Sequence, residues 1–268
     1  MKPLIALLLL AGSLQAQGLL SLAGSPPSAA ASPTDVSGLV LWLKPESLSG
    51  ADGDQISAWT DSSANGYTVS QGTSTDRPIL TNNVIGTYEA AFHVTSDRLV
   101  VSSAGALDIT RNKTGHTVFM VFQTEGTITS GSYAYWNSTA TASAQRASLA
   151  FNSSTTYRST ARRLDGDTAF NSDSDDATVF ASPKALCCVW DWGNASFKTW
   201  VNGTADINDT TFGTSGSTSD TATVDYFLGG RGTYVRMWVC EWIIYNKALN
   251  DTERQTVESY LQAKYALW

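Results

Sequence analysis

Between Val36 and Tyr245 the sequence breaks into short apolar runs separated by turn dipeptides, and no stretch of it sustains a helical period. Leu39-Val40-Leu41-Trp42-Leu43 reads as a buried strand. Asn65-Gly66 is a hairpin signal ahead of Tyr67-Thr68-Val69. Gly193-Asn194 joins residues 184–192 to residues 196–201 as a second hairpin, and Asn202-Gly203 ends its second strand. Residues 116–122 are apolar at every other position and between, as a central strand covered on both faces would be. Residues 234–245 carry the strongest strand pattern. Strict alternation there puts Trp238, Cys240, Trp242 and Ile244 on one face and Met237, Val239, Glu241 and Ile243 on the other.

Only the C-terminus reads as helix. Asn250 can cap it, with Glu253 three residues on as the reciprocal partner. Val257, Tyr260, Leu261, Lys264, Tyr265 and Trp268 then follow helical spacing, so a helix over about 250–265 should lie on the sheet. Charged residues make up 15% of the chain, so hydroxyl side chains must supply much of its surface, which suits strands better than solvent-facing helices. The expectation is an all-β, two-sheet antiparallel sandwich with one C-terminal helix, spanning residues 36–268 as one domain.

A net charge of −7 argues against generic phosphate neutralisation, and with it against a nucleic-acid partner. Cys187, Cys188 and Cys240 are too few for a disulfide framework and sit in apolar runs, which suits small buried hydrophobes. Adjacent strand residues point to opposite faces, so at most one of Cys187 and Cys188 could pair with Cys240.

Residues 1–35 differ from the rest. Lys2 precedes Leu4-Ile5-Ala6-Leu7-Leu8-Leu9-Leu10, the layout of a secretory signal and too short for a transmembrane span. A second apolar patch, residues 18–24, and a Pro/Ser/Ala linker, residues 25–33, follow. Either the signal is cleaved and the protein secreted, or the segment is kept and anchors the protein in a multimeric virion or surface assembly.

Both ends of residues 36–268 resemble a known family. The opening carries Leu39 to Leu43, Asp52-Gly53-Asp54, Trp59-Thr60-Asp61-Ser62-Ser63-Ala64-Asn65-Gly66 and Arg77-Pro78. The close carries Leu228-Gly229-Gly230-Arg231-Gly232 and Cys240-Glu241-Trp242-Ile243-Ile244-Tyr245-Asn246-Lys247-Ala248-Leu249. These are similar to laminin-G-like, concanavalin-A-like lectin and glucanase jelly-roll domains of bacterial exported and phage virion proteins. The resemblance implies a jelly-roll fold and leaves open lectins, glycan hydrolases and adhesion modules. Hydrolases of this fold carry Glu-x-Asp-x-x-Glu on one strand, and none of the six glutamates here has that spacing. The expected function is therefore a non-catalytic, surface-displayed binding or structural module, most simply a virion decoration or fibre protein that binds host glycan. The alternatives are a secreted bacterial glycan-binding protein and a glycoside hydrolase on the same fold.

A glycan site should centre on an aromatic loop at Tyr133, Tyr135 and Trp136, with Tyr157 adding a ring and Asn137 and Arg163 donating hydrogen bonds to hydroxyls. Asp165, Asp167, Asp173 and Asp175 form an acidic stretch that could lend oxygens to calcium. Its spacing fails as a helix-loop-helix site, because Asp176 stands where glycine is required, so no metal or cofactor is assigned. Glu241, lodged between Cys240 and Trp242, suits a carboxylate paired with an arginine or with loop amides. His116 suits an edge or core histidine rather than a base.

Overall fold

The computed structural model describes residues 31–93, 97–101, 109–126, 128, 131–139, 145–153, 155–174, 180–209, 212–221, 223–229 and 236–268, with the backbone alone at 92, 93, 138, 139, 209, 223–225 and 227. The expectations for residues 1–30 and for Asp175 fall outside these residues. Among the described residues there are sixteen strands. The first eight are β1 (Leu39–Leu43), β2 (Ala58–Thr60), β3 (Thr68–Ser70), β4 (Ile79–Ile85), β5 (Tyr88–His93), β6 (Arg98–Val101), β7 (Gly115–Thr124) and β8 (Ser132–Thr139). The others are β9 (Gln145–Phe151), β10 (Tyr157–Ala161), β11 (Phe170–Asp173), β12 (Lys184–Asp191), β13 (Ser196–Val201), β14 (Thr204–Asp209), β15 (Thr223–Gly229) and β16 (Met237–Tyr245). One α-helix, α1 (Asp251–Tyr265), follows.

The strands form two eight-stranded antiparallel sheets. The first runs β14-β13-β12-β7-β16-β5-β4, with β1 also paired to β16; the second runs β11-β10-β9-β8-β15-β6-β3-β2. The expected sandwich with its C-terminal helix is what forms. Both hairpin signals work: Asn65-Gly66 lies between β2 and β3 and Gly193-Asn194 between β12 and β13; Asn202-Gly203, expected only to end a strand, also turns β13 into β14. Asn202 and Gly203 have φ of 48° and 72°, the positive pair that a tight two-residue hairpin turn needs. At Gly115 a Cβ would sit 2.2 Å from the Ala248 backbone nitrogen, so the start of β7 and the β16–α1 connection pack with no room for a side chain.

The first sheet is apolar on both faces because both are covered. Its inner face, with Val118, Met120, Phe122, Leu186 and Trp190, meets Leu149, Phe151, Leu228 and Trp59 of the second sheet. Its outer face, with Phe119, Val121, Cys187 and Ile243, lies under Val257, Leu261 and Tyr265 of α1. Burying each of those three helix side chains is worth about 1.5–3 kcal/mol. Asn250 and Glu253 form the expected reciprocal cap at the helix start.

The faces of β16 correct the expectation. Its pairing with β7 slips between Val239 and Glu241, a bulge that shifts the alternation by one. Trp238 and Cys240 therefore face outward, while Trp242 and Ile244 join Met237 and Val239 in the inner core. The three cysteines are free and buried, none paired with another, and burial pushes their thiols up. The folded unit also begins earlier than residue 36. Ser32 and Asp35 cap a 3-10 turn at Pro33–Asp35, and the Tyr245 hydroxyl donates to the Pro33 carbonyl at 2.8 Å. No helix among the described residues is long and apolar enough to cross a membrane.

His116 stands at the centre, on the inner face of the first sheet. Its Nδ1 lies 3.0 Å from the Tyr245 carbonyl oxygen and its Nε2 lies 2.5 Å from the Tyr135 hydroxyl, which is 2.8 Å from that of Tyr226. A carbonyl only accepts, so Nδ1 carries the proton and Nε2 accepts from Tyr135. Tyr135 and Tyr226 belong to the second sheet, so this chain ties the two layers together.

Candidate functional site

The segment expected to be an aromatic loop is strand β8, and its side chains divide between two faces. The pairing of β8 with β9 slips between Tyr133 and Tyr135, which turns Ala134 and Tyr135 both into the core. Tyr135 and Asn137 are fully buried; Asn137 accepts from the Thr110 hydroxyl at 2.9 Å. Tyr157 is also fully buried, with its hydroxyl 2.5 Å from both Thr199 Oγ1 and Asp206 Oδ2, bridging to the first sheet. None of these three can meet a ligand without opening the sandwich. Trp136 is 6% exposed and takes the edge of the Tyr133 ring at 4.8 Å. Of the aromatic residues expected to grip a sugar, only Tyr133 keeps partial access to solvent, on the outer face of the second sheet.

The acidic stretch is engaged with arginines. Arg158 grips Asp173 with two hydrogen bonds of 2.7 and 2.8 Å, and these hold the Asp173 carboxyl below the usual range. Asp165 takes Arg146, and Asp167 lies 4.0 Å from Arg163 Nε. Among the described residues no three His, Cys, Asp or Glu side chains gather as metal ligands would.

Arg163 leads to a different place. β10 ends at Ala161, and Arg162 and Arg163 leave the strand into a turn closed by the Asp167 carboxylate, which accepts from the Leu164 N–H at 3.0 Å. The chain returns as β11 with Phe170 directly opposite Ala161. From the first sheet, the segment after β14 brings Phe212 to 5.7 Å from the Phe170 ring. Gly213, at φ 60°, turns this segment back. Arg163 Nη2 donates to Thr214 Oγ1 at 2.9 Å and so ties the two walls together.

Behind them Arg146, fully buried, donates to the Arg163 carbonyl at 2.9 Å and also bonds Asp165 and Ser219. Burial works against the Asp165 charge, but hydrogen bonding from Thr221 and the Arg146 charge outweigh it and hold that carboxyl below the usual range. The walls are thus braced from beneath by side chains that do not themselves line the space.

The result is a cleft of about 260 Å³ lined by two guanidinium groups, two phenyl rings, the Asp167 carboxylate and the Gly213–Thr214 backbone. The two arginines against one aspartate leave it positive in a chain of net charge −7. The Nε atoms of Arg162 and Arg163 are both buried and without a hydrogen-bond partner among the described residues. A planar guanidinium with donor capacity to spare fits a carboxylate, and the phenyl rings offer an apolar face beside it. Sequence reasoning reached the arginine doublet and missed Phe170 and Phe212. The signal was the arginine doublet at the end of a strand in a sequence so poor in charge.

No protein-family model matches the chain, and no curated protein sequence does. Solved structures do. Trypanosoma rangeli sialidase in complex with sialic acid superposes with a TM-score of 0.54 at 15% identity, over 85% of this chain and 33% of that one. A botulinum neurotoxin type C structure, described with two ganglioside molecules, gives 0.58 at 12% identity, over 86% and 53%. The CBM40 of Ruminococcus gnavus IT-sialidase, bound to α2,3 sialyllactose, gives 0.51 at 17%, over 63% of this chain and 95% of that one. The chain spans about a third of the sialidase's length. At these identities the likeness concerns the fold alone, a two-sheet β-sandwich.

Proposed function

We propose that this chain is a non-catalytic, laminin-G-like glycan-binding module, and that its cleft takes the carboxylate of an acidic saccharide. The observation that carries the reading is the pair Arg162 and Arg163 set beside Phe170 and Phe212 in one braced cleft. Guanidinium–carboxylate pairing would orient the sugar, and the phenyl rings would meet its apolar face. The fold neighbours named with sialic acid, sialyllactose and gangliosides support the ligand class. The binding-domain neighbours and the missing Glu-x-Asp-x-x-Glu spacing support binding over hydrolysis. Display outside the cell, on a virion surface or as a secreted protein, is the reading supported by the signal-like apolar run and Pro/Ser/Ala linker of residues 1–35. Single-site affinity at a cleft this small should be modest, and display in many copies would raise it.

Titration with α2,3-sialyllactose should show binding that weakens with salt, with lactose binding more weakly. Arg162→Ala should weaken sialyllactose binding by about tenfold to a hundredfold, the worth of a charge-assisted hydrogen bond. Equal binding of the two sugars, or an Arg162→Ala variant that binds as well as the parent, would sink the acidic-saccharide reading. Release of free sialic acid on prolonged incubation would replace the binding module with an enzyme.

A further inference from the structure

We infer that the outer face of the first sheet carries a second saccharide site, for a neutral sugar, built around Trp238. Of the nine tryptophans, Trp42, Trp59, Trp136, Trp190, Trp192 and Trp242 are buried. Trp200 is half-buried in a groove lined also by the charged Asp191, Lys198 and Asp251, and Trp268 is exposed. Trp238 is half-buried and lines a groove. It stands on the outer face, where the bulge at Val239 and Glu241 puts it, between β5 and β7.

The opposite wall comes from β4, whose pairing with β5 breaks between Thr81 and Ile85, with Asn83 at φ 55°. That break leaves Asn82 and Asn83 exposed. The Asp52 carboxylate accepts from the Asn82 N–H at 2.9 Å and fixes the segment. Gln123 is paired with Trp238 across the sheet and donates from Nε2 to the Ala181 carbonyl at 2.7 Å, which fixes its amide. The groove, about 280 Å³, is lined by Thr81, Asn82, Asn83, Val84, Gln123 and Trp238.

No lining residue is charged, which separates this groove from the arginine cleft in ligand class. Three side-chain amides and a hydroxyl supply donors and acceptors together, as sugar hydroxyls require. An indole supplies a flat apolar surface for the C–H face of a pyranose. The volume falls just below the ~300–1,000 Å³ of ligand pockets, which suits a terminal sugar unit rather than a long chain. The site shares with the proposed function only the ligand class and uses none of the cleft's residues.

The test uses the full chain with labelled indole nitrogens, followed by NMR during titration with chitotriose and maltotriose as neutral probes. One of them should move the Trp238 indole signal at millimolar concentration, and raising the salt should leave the affinity unchanged. Trp238→Ala should weaken that probe about tenfold. Trp238→Phe should keep most of the affinity, and Asn82→Ala, at an exposed position, should weaken it severalfold. Arg162→Ala should leave it unchanged, so this site and the cleft fail or succeed separately. The inference is overturned if neither probe moves the Trp238 signal, or if a folded Trp238→Ala binds as tightly as the parent. Should Trp238→Ala not fold, undiminished binding by Asn82→Ala overturns it instead.

Discussion

Glu241→Ala will lose about 3–5 kcal/mol of stability, the cost of breaking a buried charge pair from one side. The Glu241 carboxylate is fully buried between the outer face of the first sheet and α1. It accepts from Trp42 Nε1 at 2.6 Å, the Tyr260 hydroxyl at 2.8 Å, the Tyr265 hydroxyl at 2.5 Å and Lys264 Nζ at 2.9 Å. Three of those four donors belong to α1. Burial, and then the nearby Glu241 charge, push both phenols up, so they stay protonated and donate. Alanine leaves all four donors facing a void. Lys264 retains Glu46 at 2.9 Å and still donates to the Tyr260 oxygen at 3.2 Å, but the indole N–H and the two phenol O–H groups have no other acceptor among the described residues. Glu241→Gln keeps the shape and an acceptor oxygen while removing the charge, and should cost about 1.5–3 kcal/mol. Denaturant midpoints at unchanged m-value would measure both losses, and hydrogen exchange should show the amides of α1 losing protection first. An alanine variant within about 1 kcal/mol of the parent would mean that the apolar face of α1 alone holds the helix.

Glu241 also marks the limit of what could be read from the sequence. A carboxylate in the middle of β16 signals a partner, and an arginine or loop amides were the expected kind. The partners instead sit 19 to 24 residues further on and one on β1, because the helix folds back over the strand. Local signals were legible wherever a single turn or cap decides the outcome, as at Asn202-Gly203 and at Asn250 with Glu253. The double-sided apolar pattern of residues 116–122 likewise located the centre of the first sheet correctly.

The bulges were not legible. At Val239–Glu241 and at Tyr133–Tyr135 one extra residue changes which face every later side chain takes, and nothing in the alternation of a single strand announces it. That is why Trp238 was placed with Trp242, and why Tyr135 was assigned to a ligand when it belongs to the core. The arginine cleft was only half legible for another reason. Arg162 and Phe212 are far apart in sequence and meet because the edges of two sheets meet, which no local pattern encodes.

Acid should destabilise the domain between pH 6.5 and about 4.5 through His116, by about 1.4 kcal/mol per pH unit. Burial pushes the imidazole from 6.5 down to about 3, against the opposing pull of its hydrogen bond to the Tyr245 carbonyl. The folded protein keeps the ring neutral throughout this range, because Nε2 is already occupied by the Tyr135 hydroxyl. The unfolded chain takes up a proton below 6.5, so it binds more protons than the native state and gains on it as pH falls. Stability is complete above 6.5 and erodes steadily toward 3. The carboxyls of Asp165, Asp173 and Glu253 are held low, so their losses begin only near or below their ordinary values of 3.8 and 4.5. Glu258, raised by burial despite Arg254, works the other way and shallows the slope as pH nears 4.5. His116→Gln isolates the histidine, since an amide can donate to Tyr245 and accept from Tyr135 without titrating, while His93 and every carboxyl stay common to both proteins. The variant should be nearly flat from 6.5 to 4.5 where the parent falls by about 2–3 kcal/mol, read from denaturant midpoints at each pH. Parallel curves for the two proteins would show that His116 is protonated in the fold, and that the imidazole–tyrosine chain between the sheets does not hold it neutral.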